Sequence, residues 1–438
     1  MTLAAHYIDE EEPVAEASPW PERIAFICAV CIVLTFSQFW QMPLIGPDGD
    51  AEKSAIFRNL FFPAYGAGLV MAFARPWAVL KTALRGPLIW LLIADCFLSM
   101  VWSIDPSTTE RRCIALLFTT ICAMVLASRF EWPKLLEVFA TSFAVVVFCC
   151  YFLALAVPSY GKMTSIFPGA WRGVYQDKNA LGDLMTIGTI TFVASAILNA
   201  KRRWLWAGFA VLAVGLIIFS TSKTSLVTLV IGSACLAFVW LAKRGPAVSV
   251  AATFIAVTGI VVLGCAIVFV PDAFFALLGK DATFTGRTII WAAVQRLIND
   301  RPWIGYGYAS VWTDESGRGP LSWIIKWAHF RPHHAHNSWM ETWLAMGIPG
   351  LILWGAVFIE TWMKAIYAVY TKIGGYFALP FLAVYSLTTM TESVAFIYND
   401  FYWVIFAAMA FRLGLPERSA ELEEAEELDD FALTPARP

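Results

Sequence analysis

Charged residues are scarce in this sequence. They occupy 15% of its 438 positions, whereas soluble globular domains carry about 25%. Hydrophobic residues make up 59% of the chain, and the mean hydropathy is +0.65. A chain with so little charge cannot cover a soluble domain with polar surface. We therefore predict an all-α integral membrane protein, because helices satisfy their own backbone hydrogen bonds in lipid.

Other features that would indicate different functions are also missing. There is no glycine-rich nucleotide-binding loop, no nucleophile elbow and no basic patch of the nucleic-acid-binding kind, so no nucleic-acid partner is expected. All nine cysteines lie within or at the edge of apolar runs, and we interpret them as small packing residues. The amino terminus is acidic where a cleavable signal peptide is basic, so no signal peptide is predicted.

Long apolar runs recur along the chain. A membrane-spanning helix needs roughly 20 apolar residues to cross a hydrocarbon core of about 30 Å. Twelve runs are candidates, and the last is short enough to be tilted or partly interfacial. They cover residues 23–40, 56–74, 87–102, 113–128, 135–157, 180–199, 204–220, 225–242, 247–270, 338–363, 376–395 and 401–414.

The distribution of basic residues predicts the orientation. Connectors after the even-numbered runs hold twelve Lys/Arg and a single acid, Glu131, which places them and both termini in the cytoplasm. The opposite loops nevertheless carry fifteen Lys/Arg, which either bind an anion or pair with nearby acids. The predicted parts are an acidic cytoplasmic tail (1–22), helices one to nine (23–270), an outer loop (271–337), helices ten to twelve (338–414) and an acidic disordered tail (415–438).

The outer loop is the one long interruption between apolar runs. Four of the five histidines fall within residues 329–336, and seven basic residues lie between Lys280 and Arg331. Histidines and cations concentrated in one segment of an otherwise apolar chain are typical of a functional site. We therefore interpret this loop as the active-site segment.

Arg287 is the first candidate catalytic residue. It follows Thr-Gly and precedes a helical pattern that Pro302 ends near Asp300. A cation in the first turn of a helix is unfavourable unless an anion binds there too, and a phosphate suits that position. Pairing of Arg287 with Asp281 or Asp300 is the structural alternative.

His336 is the second candidate. Ser338-x-x-Glu341 reads as a capping box that opens the tenth helix. His336 would then lie near the positive end of that helix, which favours the neutral imidazole, a base. The same helix meets the sequence Gly347-Ile-Pro-Gly350, which predicts a break that lines a polar site.

A metal site is not expected among the loop histidines. His333, His334 and His336 offer three ligand atoms, but adjacent residues on an extended segment point in opposite directions. No cysteine or second histidine cluster completes a tetrahedron.

Three shorter outside segments also carry cations. WSIDPSTTERR places Arg111 in the first turn of a helix, WRGVYQDKNALG contains Arg172 and Lys178, and FSTSKTSL forms a tight turn with Lys223. Together with the TGR…PWIGYG…HHAHN pattern of the loop, these segments resemble the O-antigen ligase superfamily of bacterial envelope proteins. The resemblance covers residues 90 to 360.

The resemblance implies transfer of a glycan from an undecaprenyl-pyrophosphate-linked oligosaccharide to an acceptor hydroxyl, on the periplasmic face of the bacterial inner membrane, without cofactor or metal. Arg287 would stabilise the leaving pyrophosphate and His336 would be the general base. The implied partners are the growing polysaccharide or lipid acceptor, the bilayer, and flippase and chain-length regulator proteins. The implied substrate-binding residues are Arg172, Lys178, Lys223, Arg111, Asn337 and His333.

Three functions stay open at this point. RGVYQDKNALG together with FSTSKTSL favours an exopolysaccharide repeat-unit polymerase. An O-antigen ligase would differ in its acceptor, lipid A–core. A secondary transporter would also have twelve crossings and broken helices, but the sequence shows no internal repeat and few acids within the apolar runs.

Overall fold

A computed structural model describes residues 22–46, 55–164, 167–269 and 287–417. Within these ranges the protein is α-helical, and its only β-structure is an isolated bridge between Lys162 and Trp171. The predicted all-α class is confirmed. Residues 1–21, 270–286 and 418–438 lie outside the described residues, so the predictions for the two acidic tails and the start of the outer loop concern positions not described.

The helices follow one another through short connectors, and several begin with a proline in the first turn, where its missing N–H is not needed. In the described ranges they are α1 Glu22–Phe36, α2 Gln41–Ile45, α3 Ala55–Asn59, α4 Phe62–Ala74, α5 Pro76–Ala83, α6 Pro87–Leu98, α7 Pro106–Arg129, α8 Trp132–Ala156, α9 Pro158–Gly161, α10 Lys178–Leu198, α11 Arg203–Ser220, α12 Lys223–Ala242, α13 Pro246–Phe269, α14 Arg287–Asp300, α15 Pro320–Ala328, α16 Ser338–Thr371, α17 Gly375–Thr391 and α18 Phe401–Leu413.

Each of the twelve predicted runs contains helix. However, fewer than twelve of the described helices are long and apolar enough to cross a membrane. In the described part of the chain, seven helices are long and apolar enough to span a membrane, or eight if the bent pair α5 and α6, at 83°, is one span. α1 has 15 residues and α18 has 13. α18 is buried along its whole length, so it forms part of the protein core. The count of twelve is not confirmed.

α16 is broken at Gly347, where φ is 68° and ψ is −163°. The predicted break is confirmed. A Cβ at this position would clash with the carbonyl oxygen of Trp303. Three backbone hydrogen bonds join loop residues 302–307 to the break: Ile348 N–H to Pro302 O (3.0 Å), Tyr306 N–H to Leu344 O (3.0 Å) and Gly307 N–H to Ala345 O (2.8 Å). The loop backbone thus satisfies groups that the broken helix leaves free.

The carboxy-terminal boundary differs from the predicted one. Lys372 Nζ donates to the carbonyl oxygen of Leu415 at 2.9 Å, and Glu417 Oε2 accepts the Ile373 N–H at 2.8 Å. Residues 415–417 are therefore attached to the turn between α16 and α17, although the sequence placed them in the disordered tail.

Candidate active site

Arg287, Glu392 and His336 meet around one carboxylate, and we call these three residues the carboxylate triad. Arg287 Nη2 lies 2.6 Å from Glu392 Oε1, and His336 Nδ1 lies 2.8 Å from Glu392 Oε2. Their side chains are between 21% and 31% exposed. The group is therefore fixed by its own contacts and still open to a ligand from outside.

Arg287 is positioned by α14, whose first residue it is. The predicted end of this helix near Asp300 is confirmed, and its apolar positions, including Val294 and Ile298, are buried in a cluster with the loop. Trp291 Nε1 donates to the carbonyl oxygen of Ala335 at 2.9 Å, which ties α14 to the segment that carries His336. The arginine pairs with Glu392, so the suggested partner Asp300, at the other end of α14, is not the one observed.

His336 lies two positions before the first residue of α16, in a left-handed backbone conformation with φ 52°. The predicted capping box is wrong. The N-cap is Asn337, whose Oδ1 accepts the N–H groups of Trp339 at 3.0 Å and Met340 at 3.1 Å. Because Asn337 already satisfies these donors, Ser338 and Glu341 are available for other contacts.

Those contacts join the start of α16 to the segment after α17. Ser338 Oγ donates to the carbonyl oxygen of Glu392 at 2.8 Å and accepts the N–H of Val394 at 2.9 Å. Glu341 Oε2 accepts the N–H of Ala335 at 3.0 Å and the hydroxyl of Ser393 at 3.1 Å. These hydrogen bonds join the backbone around His336 to the backbone around Glu392. They therefore fix the positions of the two side chains relative to each other.

Glu392 was not predicted from the sequence. The predicted helix 376–395 runs through it, but α17 ends at Thr391 and turns the carboxylate towards the loop. Burial acts to raise the pKa of Glu392, but the hydrogen bond from His336 and the charge of Arg287 outweigh it and lower that pKa. The carboxylate is thus ionised at neutral pH. The feature of the sequence that could have identified Glu392 is an acidic residue at the end of an apolar run.

His334 lies beside the triad, with its ring centroid 4.0 Å from that of His336. Burial, followed by the nearby His336, lowers the pKa of His334 to about 4. Its Nδ1 accepts the backbone N–H of His336 at 3.3 Å, which requires the unprotonated nitrogen. His334 is therefore a neutral neighbour that supports the His336 backbone. His333 is exposed.

The loop histidines converge more closely than the sequence suggested. One ligand atom each from His334, His336 and Glu392 lie within 4.8 Å of one another, a spacing that could hold a metal ion. However, both oxygens of Glu392 are already engaged by Arg287 and His336. A metal cation would displace the His336 hydrogen bond and lie beside the Arg287 guanidinium. The charges therefore favour the triad without a metal ion.

Two of the predicted basic residues begin helices near this site. Lys178 is the first residue of α10 and Lys223 is the first residue of α12. Lys178 Nζ lies 3.3 Å from Thr221 Oγ1 and 3.8 Å from the ring centre of Phe167.

Asp177, the N-cap of α10, connects these helix starts to the triad electrostatically. Burial raises the pKa of Asp177, the charge of Glu392 adds to the rise, and His336 opposes it. The start of α10 is therefore within electrostatic range of the triad.

Arg172 and Arg111 have mainly structural contacts. Arg172 is buried and donates from Nε to Tyr160 O at 2.8 Å and from Nη2 to Ser159 O at 3.1 Å, which braces the turn after α8. Arg111 is exposed and bonds within its own turn, to Ser107 O and Thr108 Oγ1. Their predicted roles in substrate binding stay predictions.

Comparisons with known proteins identify what this chain is similar to. Residues 208–355 match the family model described as O-antigen ligase. The exopolysaccharide production protein ExoQ of Rhizobium meliloti (strain 1021) is 27% identical over 276 residues, which are 60% of this chain and 62% of that protein. The matched part is thus less than two thirds of the relative's length. The predicted resemblance to the O-antigen ligase superfamily, with its exopolysaccharide branch, is confirmed. The family match includes Arg287 and His336 but not Glu392.

Proposed function

We propose that this protein is a metal-independent membrane glycosyltransferase that takes a glycan from an undecaprenyl-pyrophosphate-linked donor at the periplasmic face of the inner membrane. The acceptor is a sugar hydroxyl, and the favoured reaction is polymerisation of exopolysaccharide repeat units. The observation that supports this most directly is the carboxylate triad, in which one glutamate holds a candidate base and a candidate anion ligand side by side.

His336 is the general base of the proposed reaction. With Nδ1–H donated to Glu392, the Nε2 lone pair is free to take the proton of the acceptor hydroxyl. The acceptor oxygen then forms a bond to the anomeric carbon, and the bond from that carbon to the pyrophosphate oxygen breaks with its electron pair. The ionised Glu392 stabilises the imidazolium that forms, as the aspartate does in a Ser-His-Asp triad.

Arg287 holds the departing pyrophosphate. A guanidinium has five N–H donors, and Glu392 accepts from Nη2, so the remaining donors are available for phosphate oxygens. Lys178 and Lys223, at the starts of α10 and α12, supply further positive charge close by. Because one carboxylate orients both Arg287 and His336, leaving group and base are placed together before the substrate binds.

Two alternatives make different use of the same fold. An O-antigen ligase would transfer the finished glycan to lipid A–core, with the same donor chemistry. A secondary transporter would need the break in α16 to line a substrate site. Here loop residues 302–307 occupy the break with backbone hydrogen bonds, which favours an enzyme over a transporter. A flippase supplying the donor and a regulator of chain length are the expected protein partners.

The test is reconstitution of the purified protein in nanodiscs with an undecaprenyl-pyrophosphate-linked repeat unit. We expect a ladder of lipid-linked glycans and stoichiometric release of undecaprenyl pyrophosphate, both retained in the presence of EDTA and lowered roughly 10²–10⁴-fold in His336→Ala. Transfer only to added lipid A–core would make the protein a ligase. Activity lost in EDTA and restored by zinc would instead indicate a metal at His334, His336 and Glu392.

A further inference from the structure

A cavity lies on the outer loop, away from the carboxylate triad. It has a volume of about 420 Å³, within the range of roughly 300–1,000 Å³ typical of small-molecule sites. Two tryptophans and three basic residues line it, and none of these lining residues is acidic. We call it the indole cavity, and its lining residues are Arg296, Trp323, Lys326, Trp327 and His329.

The amphipathic pattern of α15 produces one wall of this cavity. Leu321 and Ile324 are buried against the loop, whereas Trp323 and Trp327, one helical turn apart, are 53% and 48% exposed. Such exposure is unusual for two neighbouring indoles and typical of a binding surface. The helix therefore presents two flat rings that are about half exposed.

A cationic side chain lies over each indole ring. The Arg296 guanidinium carbon lies 5.4 Å from the ring centre of Trp327, and Lys326 Nζ lies 5.3 Å from the ring centre of Trp323. In the described part of the chain neither cation forms an ion pair with an acid. A cation over an indole keeps most of its N–H donors free, so it can hold an anion beside the ring face.

We propose that the indole cavity is a subsite for an acidic glycan, which binds a carboxylate-bearing sugar of the polysaccharide. The C–H faces of a pyranose stack on indole rings, and the carboxylate pairs with Arg296 and Lys326. A neutral sugar would use the rings and leave the cations without a partner. This inference rests on the proposed function, because it takes the polymer to be the ligand.

The position of the cavity determines which part of the polymer it holds. Arg296 and Arg287 lie nine positions apart on α14, which is about 13–14 Å along the axis and half a turn around it. The cavity and the triad thus lie on opposite sides of this helix. The sugar in the cavity is therefore remote from the reacting bond, and the subsite retains a long chain and takes no part in the chemistry.

A membrane-surface role is the competing explanation, since exposed tryptophan and lysine on a short helix also suit the lipid interface. The geometry favours the glycan. An interfacial helix turns an apolar face to the lipid, whereas here Arg296 from a different helix lies beside the indoles and lines the same cavity.

Direct binding tests this proposal. The full-length protein in nanodiscs would be titrated with tetragalacturonate, an acidic tetrasaccharide, and with maltotetraose, a neutral one, at low and high salt. We expect tighter binding of tetragalacturonate, weakened by salt. Arg296→Gln/Lys326→Gln should weaken it roughly tenfold, as expected for two exposed charge pairs, and Trp327→Leu by up to about tenfold through lost stacking.

Matched controls lie on the same loop. Arg301→Gln/Arg318→Gln removes the same charge from exposed positions outside the cavity, and Trp303→Leu removes an indole that is 68% exposed. Both should leave the affinity for tetragalacturonate unchanged. Equal losses in the controls, equal affinity for the two tetrasaccharides, or no binding of tetragalacturonate would overturn the subsite.

Two further measurements separate this proposal from the membrane-surface explanation and from the proposed function. A fall in the quenching of indole fluorescence by brominated lipids on going from the wild type to Trp327→Leu would show that the ring lies in the bilayer surface, and would overturn the glycan subsite. The His336→Ala variant should bind tetragalacturonate as the wild type does. If no transfer is found in any reconstitution while that binding persists, the proposed function fails and the subsite stands.

Discussion

The carboxylate triad and the indole cavity use the same kinds of side chain in opposite ways. In the triad, Arg287 and His336 are fixed by Glu392 at 2.6 and 2.8 Å, and positive and negative charge balance within the site. In the cavity, Arg296 and Lys326 lie over rings at more than 5 Å, and no acid is among the lining residues. The first arrangement is rigid and suits bond making. The second is adaptable and suits retention of a ligand.

The largest effect is expected from His336→Ala. Loss of a general base should lower turnover by roughly 10²–10⁴-fold. Affinity for the lipid pyrophosphate donor should change little, because the imidazole contacts the acceptor. Turnover and donor binding would be measured on the same purified protein, with Arg301→Gln as the control. Donor binding abolished along with turnover would assign His336 to donor binding in place of proton transfer.

Arg287→Lys should be nearly as damaging as Arg287→Ala. Lysine keeps the charge but cannot bind Glu392 and a phosphate with one planar fork. Both variants should lose donor affinity and turnover together, and both should remain folded because the side chain is partly exposed. Donor titration and single-turnover rates check this. Full activity in Arg287→Lys would mean that Arg287 acts as a point charge.

A smaller effect is expected from Glu392→Gln, which keeps the shape and removes the charge. A hydrogen bond to a charged group is worth about 1.5–3 kcal/mol, so turnover should fall roughly 10–100-fold. Turnover of Glu392→Gln would be compared with that of the wild type on purified, folded protein. Unchanged turnover would show that the charge of Glu392 takes no part in the reaction.

The smallest effect concerns stability at low pH. Since the pKa of His334 falls from 6.5 to about 4 on folding, the unfolded chain binds a proton between these values that the folded chain does not. Stability should therefore fall as the pH drops from 6.5 towards 4. His334→Asn should flatten this dependence, measured as the change in Tm between pH 7 and pH 4.5. An identical slope in the two proteins would contradict it.

Parts of the site could be predicted from local sequence rules. Arg287 at the start of a helix and the break at Gly347 follow from backbone preferences that depend on a few neighbouring residues. Glu392 could not be assigned in the same way, because its partners lie 56 and 105 positions away along the chain. The capping box failed for a related reason. Ser338 satisfies the cap pattern, but Asn337 caps the helix and Ser338 binds the segment after α17.

The number of membrane crossings was harder to predict than their positions. Hydropathy finds apolar runs but does not distinguish a helix that faces lipid from one enclosed by its neighbours. α18 is such an enclosed helix, with Trp403 and Phe406 fully buried. α5 and α6 show the second difficulty, because α5 lies in the connector predicted between two runs and meets α6 at a bend of 83°.

The backbone bonds between residues 302–307 and the break in α16 constrain the chain in a particular way. They involve main-chain N–H and carbonyl groups, so many side chains at Trp303 and Ile304 would satisfy them equally well. Removing or adding a single residue there would shift every bond by one position and draw α14 away from the start of α16. The length of this segment is therefore under stronger constraint than the side chains at Trp303 and Ile304, and related chains should vary at these two positions by substitution and not by insertion.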